Sequence, residues 1–340
     1  MSQPLLEVAD LRVHFPLKKR SVFSAPQTVR AVDGVSFSVR RGSTFGIVGE
    51  SGSGKTTTAL AVMRLLDITD GKVRLAGEAF SEFQGEQLRK ARHRVQMIFQ
   101  DPYSSLNPRM RAGAIVREPM QRMNIGTEAE RADRVRGLFE QVGLRPDQAQ
   151  LFPHQFSGGQ RQRIGIARAL ATKPELVVCD EPVSALDVAI QAQILNLLGA
   201  LQREYGLTYL FISHDLGVVQ YLCDEIAVMY LGRVVEYATR EALFEDPLHP
   251  YTWALLSAVP RMGRRRRGAP TEGASRMRLE GDPPSPINPP PGCRFSARCP
   301  FAEARCHAEE PPLREIRTGQ RVACHLVRDD GTAPHRPALL

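Results

Sequence analysis

The sequence predicts an α/β fold in which a largely parallel sheet carries helices, a helical insertion interrupts it, and a small cysteine-containing module follows. Three observations carry this reading. An apolar strand at 44–48 runs into a glycine-rich loop and then into a helical pattern over 55–66. Strand and helix alternate again through 176–179, 188–204, 208–213 and 225–230, and such alternation sets strands side by side in parallel. Between these stretches, residues 103–170 lose strand character and read as helices.

Taken in order, residues 5–50 read as short strands and turns: a strand at 5–8, another at 35–39, the turn Arg41-Gly42, and the β-rich 44–48. Asp70-Gly71 marks a turn, and 95–99 is a further apolar strand. The insertion offers helices at 112–123 and 128–142, a proline-punctuated link, and a long helix over 159–170. The core closes near residue 246, which divides the chain into 1–246, with a helical subdomain at about 101–170, and an extension at 247–340. That extension opens on an amphipathic helix at 251–259. It then passes four arginines at 264–267 and a proline-rich stretch with Pro283, Pro284, Pro286 and Pro289 to Pro291, a composition typical of a linker or extended wrap.

At 340 residues the chain can bury a substantial core, and size favours one large domain with an appendage. The longest apolar runs, such as 175–179 and 207–212, are strand-sized and far shorter than a bilayer span requires. Met1-Ser2-Gln3-Pro4 lacks the basic and apolar pattern of a secretory signal, so the chain is expected to stay in the cytoplasm. A net charge of +8 admits a nucleic-acid or anionic-membrane partner. Because the lysines and arginines are dispersed except at 264–267, we read the charge as a soluble surface with a basic linker. Cys179 and Cys223 read as buried, inert thiols, whereas Cys293, Cys299, Cys306 and Cys324 crowd into the tail, where a reducing compartment favours metal over disulfides.

Three segments carry chemistry. Gly49-Glu50-Ser51-Gly52-Ser53-Gly54-Lys55-Thr56 follows a strand and opens a helix, the context a phosphate-binding loop needs. Its small residues let backbone N–H groups approach phosphates at a helix N-terminus; Lys55 brings a mobile charge to the terminal phosphate and Thr56 a hydroxyl to Mg²⁺. The strand at 176–179 ends in Asp180-Glu181, at the strand end where parallel sheets bind ligands. Asp180 suits Mg²⁺, and Glu181 suits orienting or deprotonating an attacking water. Phe156-Ser157-Gly158-Gly159-Gln160 sets a hydroxyl and two glycines at a helix start, a second anion site.

These motifs, with Gln100, Ser184-Ala185-Leu186-Asp187 and His214, stand in the order of the ATP-binding-cassette (ABC) ATPases, which the chain resembles. The resemblance implies a P-loop NTPase core of ABC type with an antiparallel β subdomain and a helical subdomain. It implies ATP and Mg²⁺ as ligands, the nucleotide set extending from Gly49, Ser51, Gly52, Gly54, Lys55 and Thr56 to Thr57, Gln100 and Asp180. It also makes Gln100 a sensor of the γ-phosphate and Mg²⁺, His214 a γ-phosphate contact beside the catalytic Glu181, and Leu186-Asp187 a link across a dimer. Both side-chain types suit those roles: an amide can donate to phosphate and accept from metal-bound water, and an imidazole can donate to a phosphate oxygen. Ser157, Gly158, Gly159 and Gln160 then complete the partner's nucleotide site. The family stacks adenine on an upstream aromatic, for which Phe15 is the candidate and Phe23 the alternative, with an insertion between them.

The resemblance narrows to the oligopeptide and dipeptide importer branch through Asp101-Pro102-Tyr103-Ser104-Ser105-Leu106-Asn107-Pro108, His249-Pro250-Tyr251-Thr252, and the tail Pro289-Pro290-Pro291-Gly292-Cys293-Arg294-Phe295 with Arg298-Cys299-Pro300. It implies two transmembrane permease subunits, a second ABC ATPase of the same or a different chain, an extracytoplasmic solute-binding protein, and a peripheral place on the cytoplasmic face of the membrane. No nucleic acid is expected. A soluble ABC-type ATPase acting on nucleic acid or ribosomes is the alternative, and a phosphotransferase ranks below it because it gives Ser157 to Gln160 no task. The spacing of Cys293, Cys299, Cys306 and Cys324 leaves their metal open. By resemblance they are ligands of a [4Fe-4S] cluster, with Zn²⁺ as the alternative.

Overall fold

The computed structural model describes residues 3–17, 27–258, 277, 279 and 281–333. Phe23, the arginines at 264–267 and most of the linker between them and the last prolines lie outside these residues. The chain begins with β1 (Leu6–Pro16) and β2 (Thr28–Val39), a long antiparallel pair. Both exceed the short strands expected from sequence. The reason is a register shift between Val8 and Leu11, with Asp10 at a φ of 48°. It moves the buried set from Leu6 and Val8 to Leu11 and Val13, so a strict two-residue alternation breaks in mid-strand.

Next come β3 (Thr44–Val48), α1 (Lys55–Val62) and β4 (Asp70–Leu75), the last joining β1 to complete a three-stranded antiparallel sheet ordered β2-β1-β4. After α2 (Gly85–Ala91), β5 (Val95–Ile98) starts the edge of the main sheet. The helical insertion follows as α3 (Ala112–Arg122), α4 (Glu128–Gln141) and α5 (Gly158–Leu170). Thr127 and Glu130 cap α4 reciprocally, and Ile115, Met120, Leu138, Phe139 and Ile164 form its interior.

The main sheet is completed by β6 (Leu176–Asp180), α6 (Val188–Tyr205), β7 (Thr208–Ser213), α7 (Leu216–Leu222) and β8 (Glu225–Tyr230). Strands β5, β6, β7, β3 and β8 are parallel neighbours in that order. All residues of β3, β6 and β7 are buried, and their side chains alternate between two cores. Leu176, Val178, Leu210 and Ile212 face the antiparallel sheet, while Val177, Cys179, Tyr209 and Phe211 face the helices. Cys179 and Cys223 are fully buried, and burial pushes both thiols far above their ordinary range, as expected of inert packing groups.

The tail departs from the separate module read in the sequence. β9 (Arg233–Thr239) turns antiparallel on β8, then α8 (Arg240–Glu245), α9 (Pro250–Ala258) and α10 (Ala304–Ala308) lead to β10 (Arg314–Arg317) and β11 (Gln320–Val322). β11 pairs with β9, Val322 opposite Glu236, so the tail extends the same sheet to eight strands. Glu236 has no exposed surface, and its carboxylate accepts the N–H groups of Leu248 at 2.7 Å and His249 at 2.9 Å. His249 accepts the Tyr251 N–H at its Nδ1, and the Trp253 indole donates to the Pro247 carbonyl at 2.8 Å. The phrase around His249 is thus the seat that fastens the extension to β9.

Candidate active site

The glycine-rich loop runs from the end of β3 to the start of α1. Gly49 and Gly54 have φ of 151° and 102°, and a Cβ on either would lie 2.2 Å from the Met229 carbonyl or 2.3 Å from that of Ala31. Only glycine fits there. Lys55 is 5% exposed and donates from Nζ to the carbonyls of Gly49 at 2.8 Å and Glu50 at 2.9 Å. Burial pulls its pKa down, opposed by the charges of Glu181, Asp180 and Glu50.

β6 delivers the two acids. Asp180 is buried and accepts the Thr56 hydroxyl at 3.1 Å; its burial raises its pKa. Two hard oxygen donors meet here at the end of β6, a set that fits a magnesium ion. Glu181 has a φ of 45°, a left-handed conformation rare outside glycine, held by its N–H bond to the Ile212 carbonyl at 2.9 Å. That turn places its Oε1 3.0 Å from His214 Nδ1, and its Oε2 accepts the Gln100 amide at 2.8 Å. The strands β5, β6 and β7 therefore bring together at their ends the three residues that the motifs left far apart in sequence.

Except for the buried Asp180, these groups line a cavity of about 650 Å³ bounded by Gly49 to Gly52, Gly54 to Thr57, Gln100, Glu181 and His214. Its other wall went unread in the sequence: Val29, Arg30 and Ala31 of β2, Leu231 and Gly232 after β8, and Leu255 and Pro286 of the extension. No local motif marks such residues, because they are contributed by backbone shape from remote segments. Phe15 is not brought to this wall. It pairs across the sheet with Val29, and it is 39% exposed.

Ser157 caps α5: its hydroxyl accepts the Gln160 N–H and the Gln160 amide oxygen accepts the Ser157 N–H at 3.0 Å. Gly158 and Gly159 pack under Tyr103 and Ile190, where a Cβ on Gly159 would meet Ile190 at 2.6 Å. None of the residues from Ser157 to Gln160 lines the cavity above. Gln162, one turn on, donates to the Pro182 carbonyl at 2.7 Å and so ties α5 to the segment after Glu181.

The metal centre expected in the tail is not assembled: among the described residues no three His, Cys, Asp or Glu side chains are grouped to hold an ion. All six cysteines are free thiols. Burial pushes Cys299 up to about 11 and Cys324 up to about 12. Cys293 and Cys299 pack against the main helical core, and Cys324 lies in a smaller apolar cluster with Leu248, Val322, Leu326 and Val327.

Comparison with known proteins agrees with the cassette reading. Residues 32–184 match the ABC transporter family, and residues 235–306 match the oligopeptide/dipeptide transporter C-terminal region. A probable peptide ABC transporter ATP-binding protein, y4tS of Sinorhizobium fredii, is 50% identical over 98% of this chain and 93% of its own. The oligopeptide transport ATP-binding protein AppF of Bacillus subtilis is 49% identical over 95% of this chain and 98% of its own. Among solved structures, the dimeric post-hydrolysis state of the ATP-binding cassette MJ0796 bound to ADP and Pi aligns with a TM-score of 0.61 at 27% identity, covering 69% of this chain and 98% of that one. With half its residues shared with such relatives over nearly its whole length, and with the phosphate loop and paired acids in place, this chain belongs to the ABC transporter ATPases that carry the oligopeptide/dipeptide transporter C-terminal region.

Proposed function

We propose that the chain is the ATP-hydrolysing subunit that energises an importer of oligopeptides, dipeptides or related small solutes. The observation that carries this is the joining of a phosphate pocket to Glu181, His214 and Gln100 in a chain whose extension matches the oligopeptide/dipeptide transporter region. Relatives named for peptide transport support it over the nucleic-acid alternative. Among the described residues no helix is long and apolar enough to cross a membrane. We assign the pore to two permease subunits, solute capture to an extracytoplasmic binding protein, and the site of work to the cytoplasmic face of the membrane. Functionally the chain divides at about residue 246 into cassette and extension.

In this reading Lys55 leaves the Gly49 and Glu50 carbonyls for the β- and γ-phosphates of ATP, with the loop N–H groups and Thr57 around them. Thr56, Asp180 and Gln100 would hold Mg²⁺, which would supply charge neutralisation at the phosphates. Glu181 orients a water and takes its proton as the water oxygen attacks the γ-phosphorus and the β–γ bridging oxygen leaves with ADP. His214 and Gln100, both held on Glu181, turn toward the γ-phosphate. Ser157 to Gln160 serve the nucleotide of a second cassette, so ATP closes a dimer and hydrolysis releases it. For the adenine the candidate is Phe15, which pairs with the cavity-lining Val29 across the sheet and is 39% exposed. Isolation of the membrane complex in detergent tests the function: hydrophobic permease subunits should co-purify with the chain. Salt-sensitive binding to nucleic acid with no permease present would overturn it.

For the extension we propose that Cys293, Cys299, Cys306 and Cys324 take a [4Fe-4S] cluster in place of their protons. Supporting this, neighbouring backbone N–H groups favour the thiolate forms of Cys293, Cys299 and Cys324 against the burial that opposes them. Such donors stabilise thiolate. Cys293, Cys299 and Cys324 also each feel the charge of other cysteines in the set. A cubane holds its thiolates on separate irons and so farther apart than one zinc ion, bound at ~2.3 Å to each sulfur, allows. Anaerobically purified protein should absorb in the visible range and contain iron and sulfide, and Cys299→Ser should lose both. A colourless, zinc-loaded or metal-free wild type rules the cluster out.

A further inference from the structure

Among the described residues, the extension hydrogen-bonds to the phosphate loop of its own chain at Glu50. Glu50 has three polar groups, and each is committed. Its N–H donates to the Tyr251 hydroxyl at 2.8 Å. Its carboxylate accepts both ends of the Arg298 guanidinium, at 2.7 and 3.2 Å. Its carbonyl holds Lys55 Nζ at 2.9 Å. Two of these partners thus come from the extension; the carbonyl is shared between the Ser53 N–H at 3.2 Å and the lysine on which phosphate binding depends.

Neither extension residue is loosely placed. The Arg298 side chain is 7% exposed and lies against the Tyr230 ring, 5.9 Å from its centroid. Tyr251, with no exposed surface, packs with Tyr230 and Phe295 in a cluster of ring centroids 4.8 to 5.4 Å apart. Phe295 sits between Arg294, which reaches the buried Asp33, and the Arg298 turn. A third contact lies on the far wall of the cavity, where the Pro286 carbonyl accepts the Arg30 N–H at 3.0 Å and Pro286 and Leu255 line the pocket. Rigid aromatic packing therefore fixes the direction from which Glu50 is held.

The charge arithmetic gives this contact a function beyond fastening. A nucleotide brings several negative charges to a loop that already contains the Glu50 carboxylate. Arg298 neutralises that carboxylate with two parallel charge-assisted bonds, and Tyr251 orients the peptide whose carbonyl must release Lys55. Resting on the nucleotide-site reading above, we infer that the extension is a working part of its own chain's nucleotide site. Arg298 and Tyr251 are positioning residues for the phosphate loop, and Pro286 with Leu255 forms a wall for the nucleoside. The linkage runs both ways, so nucleotide at the loop also steadies the extension.

The test is titration of the full-length chain with Mg-ADP, which needs neither turnover nor a second cassette. Arg298→Ala should weaken binding on the order of tenfold, the scale of one charge-assisted pair. Arg298→Lys should fall between it and wild type, because a lysine neutralises but cannot grip both oxygens. Adding Glu50→Gln to Arg298→Ala should recover most of the loss, since the uncompensated charge is gone, whereas a merely structural fastening would predict no recovery. If Arg298→Ala does not fold, Tyr251→Phe serves, which removes one acceptor from a packed ring and should weaken binding severalfold. Binding within twofold of wild type in a folded Arg298→Ala or Tyr251→Phe, or a double variant as weak as the single, overturns the inference. A wild type that binds no nucleotide overturns the site reading beneath it.

Discussion

Replacement of Glu181 by glutamine is expected to lower steady-state ATP turnover by roughly 10²- to 10⁴-fold, the range for loss of a general base, while Mg-ATP binding persists. Glutamine keeps the size of the side chain and one acceptor for the Gln100 amide, but it cannot take a proton from water. ATP bound and not cleaved then holds two cassettes together. Size-exclusion chromatography with ATP should show a dimer for Glu181→Gln that wild type forms only transiently. Lys55→Ala, by contrast, should lose binding itself, because among the described residues no other cation donates to the Gly49 and Glu50 carbonyls. Normal turnover by Glu181→Gln would falsify the catalytic assignment. Since Ser157 to Gln160 stand outside the chain's own cavity, turnover should also rise more than linearly with chain concentration.

Asp33→Ala is expected to destabilise the chain by about 3–5 kcal/mol, the scale for leaving one member of a buried ion pair unpartnered. Asp33, 4% exposed, accepts from Arg294, 6% exposed, and from His14 at 3.0 Å, with Arg233 at 3.7 Å. Without it, Arg294 keeps the Leu231 carbonyl and the charge of Glu310 while facing Arg233. Urea unfolding measures the loss, and Arg294→Met on that background should restore part of it. Acid should attack the same region. Burial opposes ionisation of Asp33, but the Arg294 hydrogen bond and charge outweigh it and hold the pKa below its ordinary 3.8. The unfolded chain therefore binds more protons than the folded one in that window, and this contribution, complete above 3.8, is lost as pH falls through the lower folded value. Burial likewise drops His249 from 6.5 to about 3, so the unfolded state is favoured progressively as pH falls from 6.5. His249→Gln should flatten the upper part of that profile in thermal unfolding followed from pH 7 to 4.

Legibility followed the range of the interactions. The phosphate loop could be read because its glycines are required by local backbone geometry, at Gly49 and Gly54 above all. The β3, β6 and β7 runs could be read because strands buried on both faces are continuously apolar. β1 and β2 were read too short because a shift in register moves the buried positions in mid-strand, which no fixed period anticipates. The order of Gln100, Asp180-Glu181 and His214 marks them as one set, but the 3.0 Å and 2.8 Å contacts that join them on Glu181 depend on parallel pairing of β5, β6 and β7.

By itself, the sequence determined the α/β class, the glycine-rich loop, the acid pair at the end of β6 and the capped α5 helix, all written in spans of a few residues where spacing dictates backbone form. Only the tertiary structure decided that the tail extends the main sheet through β11 instead of standing apart, and that Arg298 and Tyr251 hold Glu50, 248 and 201 residues away. It also left the four tail cysteines as free thiols, Cys306 and Cys324 buried and Cys293 and Cys299 half-buried, not grouped to hold an ion among the described residues. Those outcomes arise from side chains meeting across distant segments, set by burial of Glu236, Tyr251 and Phe295, and no local pattern encodes which segments will meet.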